Sequence, residues 1–328
     1  MDTESNTDFT FVIQGAFHPN TIYAIPYYLM YGKVIVSTWK NSPPIILKGK
    51  IRHHSQFPMD NLKRLLDFYE KKDLMDNVEF FISDSPSAKK LYENQVYNHK
   101  NCFYQFQSTL NGLKRVKTKY CIKVRSDEAY TNFDEIIKKT LECEGKKLVT
   151  TNTFFRRTKN FPWHPSDHVI SANTEHMVKI FQRSVDLCKR GGFFSEEDLG
   201  SIKGNEKYFS TSYETRLTKE KNNGLMRHSS TKTNPCLWPE MIIGMNHLLQ
   251  CGVYIDVEEY KKIMKENFDV VNNDSMGLVQ ITHKLPSDTK YSESTNLYYS
   301  LFEERKASVI FSMEDLEKSL DDIFKNPQ

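Results

Sequence analysis

The chain has 328 residues, 38% hydrophobic and 27% charged, enough apolar content for a sizeable core, which excludes disorder of the whole molecule. Its 45 basic residues nearly balance 42 acidic ones, and a net charge of +3 gives no global attraction to nucleic acid or to a membrane surface. The 6 cysteines form no C-x-x-C pair, the first residues are polar and acidic, and no apolar run approaches the ~20 residues of a membrane span. The expectation is a cytoplasmic protein with free thiols, whose membrane contact, where it occurs, is peripheral.

Phe9 to Ile13 reads as a strand, Asn20 to Tyr31 as a helix and Lys33 to Ser37 as a second strand, a β-α-β beginning. Asp60 caps a helix in which Leu62, Leu65, Leu66 and Tyr69 share one face, closing with Lys71 and Lys72. Val78 to Ile82 is a strand. Phe103, Phe106, Leu110 and Leu113 mark a helical face as far as Val116; Tyr120, Ile122 and Val124 then alternate with Lys119, Cys121 and Lys123 as a strand. Phe133 to Cys143 forms a helix stopped by Gly145, and Leu148 to Thr151 returns to strand. A helix begins at Asn173, carries Met177, Ile180, Phe181, Val185 and Cys188 on one side, and stops at Gly191-Gly192. From Gly204 to Pro235 periodicity is lost and the composition is polar and lysine-rich, the mark of a mobile loop. Helices over Pro239 to Gln250 and Met313 to Phe324 complete the chain. This alternation implies an α/β fold: a mainly parallel sheet flanked by helices, with a helical C-terminal part, residues 1–150 and 151–328 being halves of one continuous domain.

In such a sheet, ligands collect beyond the carboxyl ends of the strands. Those exits are Gln14-Gly15, Ser37-Thr38-Trp39, Ser83-Asp84-Ser85-Pro86 and Arg125-Ser126-Asp127-Glu128. Gly15 permits close backbone approach to a ligand, Thr38 and Asp84 can hydrogen-bond a base or ribose, and Trp39 offers a flat face for stacking. From Gln95 through Ser126 there is no acidic residue, while Lys100, Lys114, Arg115, Lys117, Lys119, Lys123 and Arg125 are positive; Asp127 and Glu128 follow at once. A diphosphate with a divalent cation calls for such an arrangement, with cations for phosphate oxygens and a hard carboxylate for Mg2+ or Mn2+. A solvated basic face ending in an acidic helix-capping turn would give the same pattern. The basic run is short and has no recognised nucleic-acid module, so no nucleic-acid partner is expected.

VIQGAF at Val12 to Phe17, VIVSTWK at Val34 to Lys40, QSTLNGL at Gln107 to Leu113, KTKYCIKVRSDEAY at Lys117 to Tyr130 and HPSDHVISANTEHMVKIF at His164 to Phe181 together resemble the WavE family. That family is associated with lipopolysaccharide core synthesis and includes proteins of bacteria and large DNA viruses assigned as glycosyltransferases. The resemblance runs from about Phe9 to Lys189. It implies a GT-A-like fold with a nucleotide-sugar donor, UDP-sugar favoured, in the first half and a glycan or glycolipid acceptor in the second. Arg125-Ser126-Asp127 stands where related enzymes carry a metal-binding D-x-D, which implies Mn2+ or Mg2+ at Asp127. Two positions depart from the pattern: Asp127-Glu128-Ala129 is not a full D-x-D, and Tyr104, beside Gln105, stands where an arginine is usual. The lysine- and asparagine-rich composition suits an AT-rich genome, so a viral source, acting in the host cytoplasm, is a further expectation.

Sugar transfer needs charge stabilisation on the leaving diphosphate, an oriented acceptor hydroxyl and, with inversion, a base. Asp127 takes the first role through a metal, with Arg125 and Lys123 in support; strand alternation puts those two cations on one face, which solvation would explain equally. Base candidates are Asp167 and His164 in the WHPSDH turn and Glu240 in LWPEM, with Glu197 and Asp198 behind them. Each also has a plain reading: Asp167 as a turn former, Glu240 as a first-turn helix acid, the acidic run as solvated. His164 and His168 do not read as a zinc pair, because Pro165 argues against a helix between them, and His53-His54 sits in a polar loop. Trp163 reads as an acceptor-stacking ring or as core. Two other functions are weighed against a sugar transferase. One is a nucleotidyltransferase making nucleotide sugars, disfavoured because Gln14 to Phe17 lacks a glycine-rich basic loop; the other is a non-catalytic sugar-binding module.

Overall fold

The computed structural model describes residues 8–16, 19–40, 45–47, 50–52, 67, 70, 75–84, 99–152, 163–190, 196–203 and 239–281. In chain order the elements are β1 (Phe9–Gln14), α1 (Pro19–Leu29), β2 (Lys33–Trp39), β3 (Ile45–Leu47), β4 (Lys50–Arg52), β5 (Val78–Ser83), α2 (His99–Leu113), β6 (Tyr120–Arg125), β7 (Glu128–Tyr130) and α3 (Asp134–Glu142). There follow β8 (Leu148–Thr151), β9 (Val169–Asn173), α4 (Thr174–Lys189), α5 (Glu196–Gly200), β10 (Ile202–Lys203), α6 (Pro239–Gln250), β11 (Ile255–Asp256), α7 (Tyr260–Asn267), β12 (Phe268–Val271) and β13 (Leu278–Ile281).

The main sheet has the order β12-β8-β9-β6-β1-β2-β5. Only β9 runs against its neighbours; the remaining pairs are parallel. The mainly parallel, helix-flanked sheet expected from the sequence is what the chain forms. Because β12 joins beside β8, the sheet continues across residue 150.

Alternation along the strands builds two cores. Phe9, Phe11, Ile13, Ile122 and Val124 face α1 and α3, where Phe11 stacks on Tyr28 at 5.1 Å and meets the edge of Phe133 at 4.7 Å. Val12 and Cys121 face the other way, against Phe106 of α2, Phe181 of α4 and Ile242 of α6. Burying apolar side chains of this size contributes about 1.5–3 kcal/mol each, so helices hold both faces of the sheet. Lys123 and Arg125, two and four residues beyond Cys121, are directed to the second face.

Local signals fix the ends. Asn173 closes β9 and caps α4, its side chain accepting from the amides of Glu175 and His176 at 3.0 and 3.3 Å. Gly145, after α3, has φ +66, and a Cβ there would lie 2.4 Å from the Asn173 nitrogen, so glycine answers both the turn and the contact.

Two expectations are corrected, and one strand joins those expected. Glu128 does not begin a capping turn: Glu128–Tyr130 pairs antiparallel with β13, and the first-turn amide of Asp134 is met by Asn132 at 2.8 Å. Val169–Asn173, preceding the capped helix, is itself the reversed strand β9. The C-terminal part is not purely helical, since 255–281 supplies β11, β12 and β13. Apart from residues 67 and 70, the helix expected from Asp60 lies outside the described residues, as do the loop 204–235, the helix 313–324, His53 and His54. Among the described residues no helix is long and apolar enough to cross a membrane, and Cys102, Cys121, Cys143, Cys188 and Cys251 are free thiols.

Candidate functional site

The strand exits meet at one edge. Gln14 is in register with Ser37 on one side and Arg125 on the other, and Trp39 lies opposite Ser83, the residue before Asp84. Parallel pairing alone produces this rim, because it points every carboxyl end the same way.

Many of the rim side chains are engaged in packing. A Cβ at Gly112 would come 2.5 Å from Val12 Cγ1, so α2 lies close on the sheet. Ser37 Oγ donates to the Ser108 carbonyl at 2.6 Å and Ser108 Oγ donates to Gln14 Oε1 at 3.1 Å. Trp39 is 5% exposed, its ring edge-on to Tyr104 at 6.0 Å, so it is a core ring and not an open stacking face. Gly15 has φ +130, and a Cβ there would strike Ser126 Oγ at 2.5 Å; the close approach it permits is to the β6 turn, not to a ligand. Thr38 is buried and its Oγ1 makes no hydrogen bond. Asp84 is exposed.

The charges at the β6 exit form one cluster. Arg125 grips Asp127 with two hydrogen bonds, Nε to Oδ1 and Nη2 to Oδ2, each 2.9 Å. Its Nη1 stands 3.7 Å from Asp167 Oδ2 and its Nε 3.9 Å from Glu128 Oε1. Lys123 is fully buried and its Nζ donates to the Asp167 carbonyl, which rules out the solvated reading for this residue and gives it the part of a positioning cation in place of the expected diphosphate contact. Burial is the main influence on its amine, dropping the pKa from 10.5 to about 8.

Asp167 is equally enclosed. Gln105 Nε2 donates to its Oδ2; burial works to protonate the carboxyl, yet Lys123, His168, Arg125 and that hydrogen bond together hold its pKa well below the usual range. Its Oδ1, 3.7 Å from His168 Nε2, is buried and accepts no hydrogen bond. His168 Nδ1 contacts Glu128 Oε1, and Tyr130 donates to Glu128 Oε2 at 2.8 Å. Burial opposes charge on the imidazole, but Glu128 outweighs it and raises the His168 pKa.

The 163–168 turn is seated by α6. A Cβ on Gly244 would fall 2.1 Å from the Trp163 carbonyl oxygen, so the helix and the turn are in backbone contact. One helical turn earlier, Glu240 Oε2 lies 3.7 Å from His164 Nε2. Trp163, at φ +61 and fully buried, packs edge-on to Tyr260 at 5.1 Å and is a core residue. The Cys102 thiol of α2 is pushed up by burial first, then by Cys188, Glu240 and Asp167, which sets both carboxylates in one neighbourhood. Asp198 pairs with Arg183 of α4, and Glu197 is exposed.

Sequence reasoning assigned no site role to Gln105, Glu128 or His168. Gln105 had a signal, preceding the QSTLNGL motif by two residues. A buried partner for Glu128 had none, because it comes from the turn 40 residues on.

A divalent ion at Asp127 is testable against these residues. Arg125 takes one acceptor direction on each oxygen of the Asp127 carboxylate, and that side chain is 14% exposed. Glu128 is closed by His168 and Tyr130. The donor set fits an ion held by one carboxylate with phosphate oxygens and water, a common Mg2+ mode, and not a two-carboxylate site.

No curated protein matches the chain. Solved structures similar to it include HddC from Yersinia pseudotuberculosis complexed with GMP-PN, at 11% identity and TM-score 0.28 over 52% of this chain and 79% of that one. S. aureus TarS 1–349 aligns at 10% identity and TM-score 0.29, over 55% of this chain and 56% of that one. The glycosyltransferase GlyE of Streptococcus pneumoniae TIGR4 aligns at 8% identity and TM-score 0.36, over 98% of this chain and 64% of that one. The chain thus covers less than two thirds of the latter two, and likeness of this size carries no argument about activity. The viral source is not borne out. The match to a known family is of another order: it takes in residues 70–316, continuing well past Lys189, and the chain belongs to the WavE lipopolysaccharide synthesis family.

Proposed function

We propose that this chain is a glycosyltransferase that moves a hexosyl or related group from a nucleotide sugar, UDP-sugar favoured, to a glycan or glycolipid acceptor. The observation that carries the reading is the Asp127–Arg125–Asp167 arrangement at the exit of β6, where an ionised, enclosed carboxylate stands beside two cations at the carboxyl ends of parallel strands. Membership of a polysaccharide-synthesis family supports it.

In this reading the acceptor hydroxyl attacks the anomeric carbon, the bond to the diphosphate oxygen breaks, and the nucleoside diphosphate leaves with its electron pair. Arg125 lies where that charge develops. Asp127 would hold Mn2+ or Mg2+, which supplies neutralisation of the diphosphate. Asp167 is a poor general base, because a carboxylate held well below its usual pKa takes a proton reluctantly. Its buried carboxylate is suited instead to hold Arg125 and His168 in place. The proton then goes to the His164–Glu240 pair, whose partners stand 3.7 Å apart across the turn and α6.

The test is a panel of UDP-, GDP-, CMP- and dTDP-sugars with Mn2+, scored for sugar release and for thermal shift. Turnover of a UDP-sugar that is lost in Asp127→Ala is the expected result. No turnover and no shift with any nucleotide would end the proposal and leave a non-catalytic sugar-binding module. Pyrophosphate release from a sugar phosphate and a nucleoside triphosphate would instead make it a nucleotidyltransferase.

A further inference from the structure

Away from the rim, α4 and the end of α6 bring together three side chains whose ligand atoms all lie within 4.8 Å of one another: His176, His247 and Cys251. His247 and Cys251 are four residues apart at the C-terminal end of α6, with the Cys251 amide bonded to the His247 carbonyl at 3.0 Å, so both face one side of the helix. His176 reaches them from the first turn of α4.

The hydrogen bonds fix which nitrogens are available. His247 Nε2 lies 2.9 Å from the Asn267 carbonyl oxygen, which can only accept, so Nε2 carries the proton and Nδ1 carries a lone pair. That lone pair points at His176 Nε2, 2.7 Å away, and at Cys251 Sγ, 3.8 Å away; Sγ is 4.0 Å from His176 Nε2. A ring nitrogen oriented by a backbone carbonyl through the opposite N–H is the usual support of a metal-bound histidine. Burial keeps both imidazoles neutral at physiological pH, with His247 at about 3 and His176 at about 4.

We propose that His176, His247 and Cys251 form a zinc site, distinct from the rim, that ties α4 to the end of α6. Two imidazole nitrogens and a thiolate are borderline-soft donors of the kind zinc prefers over the oxygen-seeking Mg2+ or Mn2+. Tetrahedral zinc with bonds of about 2.0–2.1 Å to nitrogen and about 2.3 Å to sulfur sets ligand atoms about 3.3 Å (N to N) and 3.6 Å (N to S) apart. The histidine nitrogens must open by about 0.6 Å and the sulfur must close by a few tenths, which small side-chain rotations supply. On binding, His176 keeps its ring proton by moving it to Nδ1, and the Cys251 thiol releases its proton to solvent. Among the described residues no further histidine, cysteine or carboxylate joins the group. Glu240 sits seven residues before His247, about 10 Å along the helix axis. The ion is therefore structural: it steadies the helix that seats the 163–168 turn and does not touch the reacting groups.

The experiment uses the full chain, stripped with a chelator and titrated with Zn2+ and, separately, Co2+. Expected are one zinc per chain, a rise in Tm, and a thiolate-to-cobalt charge-transfer band in the near ultraviolet. Cys251 is exposed, so Cys251→Ser keeps the metal-free Tm while losing the cobalt band and weakening zinc at least tenfold; His176→Gln weakens zinc similarly. Absence of zinc binding by the native chain overturns the proposal. So does binding that both variants retain in full, since the ion would then sit elsewhere. Neither result depends on whether the chain turns over a nucleotide sugar.

Discussion

His168 and Glu128 are locked together beneath the β6 exit: imidazole Nδ1 contacts one carboxylate oxygen while the Tyr130 hydroxyl donates to the other at 2.8 Å. Both side chains are buried, and the pair ties β7 to a turn 40 residues further along. It also bounds the charge cluster, leaving Asp127 as the carboxylate with exposure at that exit.

Glu128→Gln keeps a partner for Tyr130 and removes the charge. The His168 pKa, raised by Glu128 against the effect of burial, then falls. A raised histidine gives stability that is complete below its ordinary value of about 6.5 and is lost as pH climbs through the folded value. Urea unfolding of the native chain should therefore show this contribution at pH 6 and its loss on going alkaline, whereas the variant lacks that slope and is about 3–5 kcal/mol weaker at pH 6. An unchanged pH slope in the variant would remove Glu128 as the cause.

Much of this architecture is written in local sequence. Periodicity finds α4 and β6 because their apolar residues repeat at helical and strand spacing, and Asn173 marks the start of α4 by its own side-chain chemistry. The reversed strand β9 is not legible in the same way, because VISAN is five residues long and its direction depends on β6 and β8 pairing on either side. The site divides similarly. Parallel pairing makes the rim predictable, but whether Trp39 stacks on a ligand or packs edge-on against Tyr104 is decided by how α2 docks at Gly112. Lys123 looks like a surface cation in its strand, and only the arrival of the 163–168 turn buries it.

Asp127→Ala should lower turnover by about 10²- to 10³-fold, the range for losing one preorganised electrostatic group. Arg125 keeps Asp167 and Glu128 at 3.7 and 3.9 Å, so the stability loss stays near 1–3 kcal/mol and the chain remains folded. EDTA should bring the native enzyme down toward the variant and leave the variant unchanged. Steady-state rates with a UDP-sugar, alongside urea midpoints, check both halves; a variant as active as the native chain would refute the assignment.

Lys123→Met separates two opposite pH effects. Asp167, held below the ordinary carboxylate pKa partly by Lys123, contributes stability above that ordinary value that disappears as pH falls through the folded one. Without the lysine its folded pKa rises, and acid unfolding should begin at higher pH. The lysine has a converse effect: with its pKa at about 8 in the fold against 10.5 ordinarily, the unfolded chain binds more protons in that window, so the native chain gains stability as pH rises through it. The variant should lose this alkaline gain. Urea midpoints from about pH 2 to about pH 11 read both ends, and a curve parallel to the native one would mean that Lys123 and Asp167 do not influence each other.

Gly244→Ala tests whether the contact between α6 and the 163–168 turn serves the chemistry. Judged by helix propensity, alanine in the middle of α6 should stabilise by about 1 kcal/mol. The added Cβ, however, would stand 2.1 Å from the Trp163 carbonyl oxygen, 2.9 Å from its carbon and 2.8 Å from Pro165 Cδ, atoms that cannot rotate away. The helix and the turn must separate, at a cost of about 1–3 kcal/mol that outweighs the propensity gain. Separation also draws Glu240 from His164, so turnover should fall about tenfold or more, beyond what the small loss of folded population explains. Gly252→Ala is the control: its φ of +68 carries a backbone penalty, but nothing lies within 4 Å of the new Cβ, so stability should drop by about 1 kcal/mol with turnover intact. If Gly244→Ala were to unfold at the native midpoint and turn over at the native rate, the backbone contact would not be what sets the His164–Glu240 geometry.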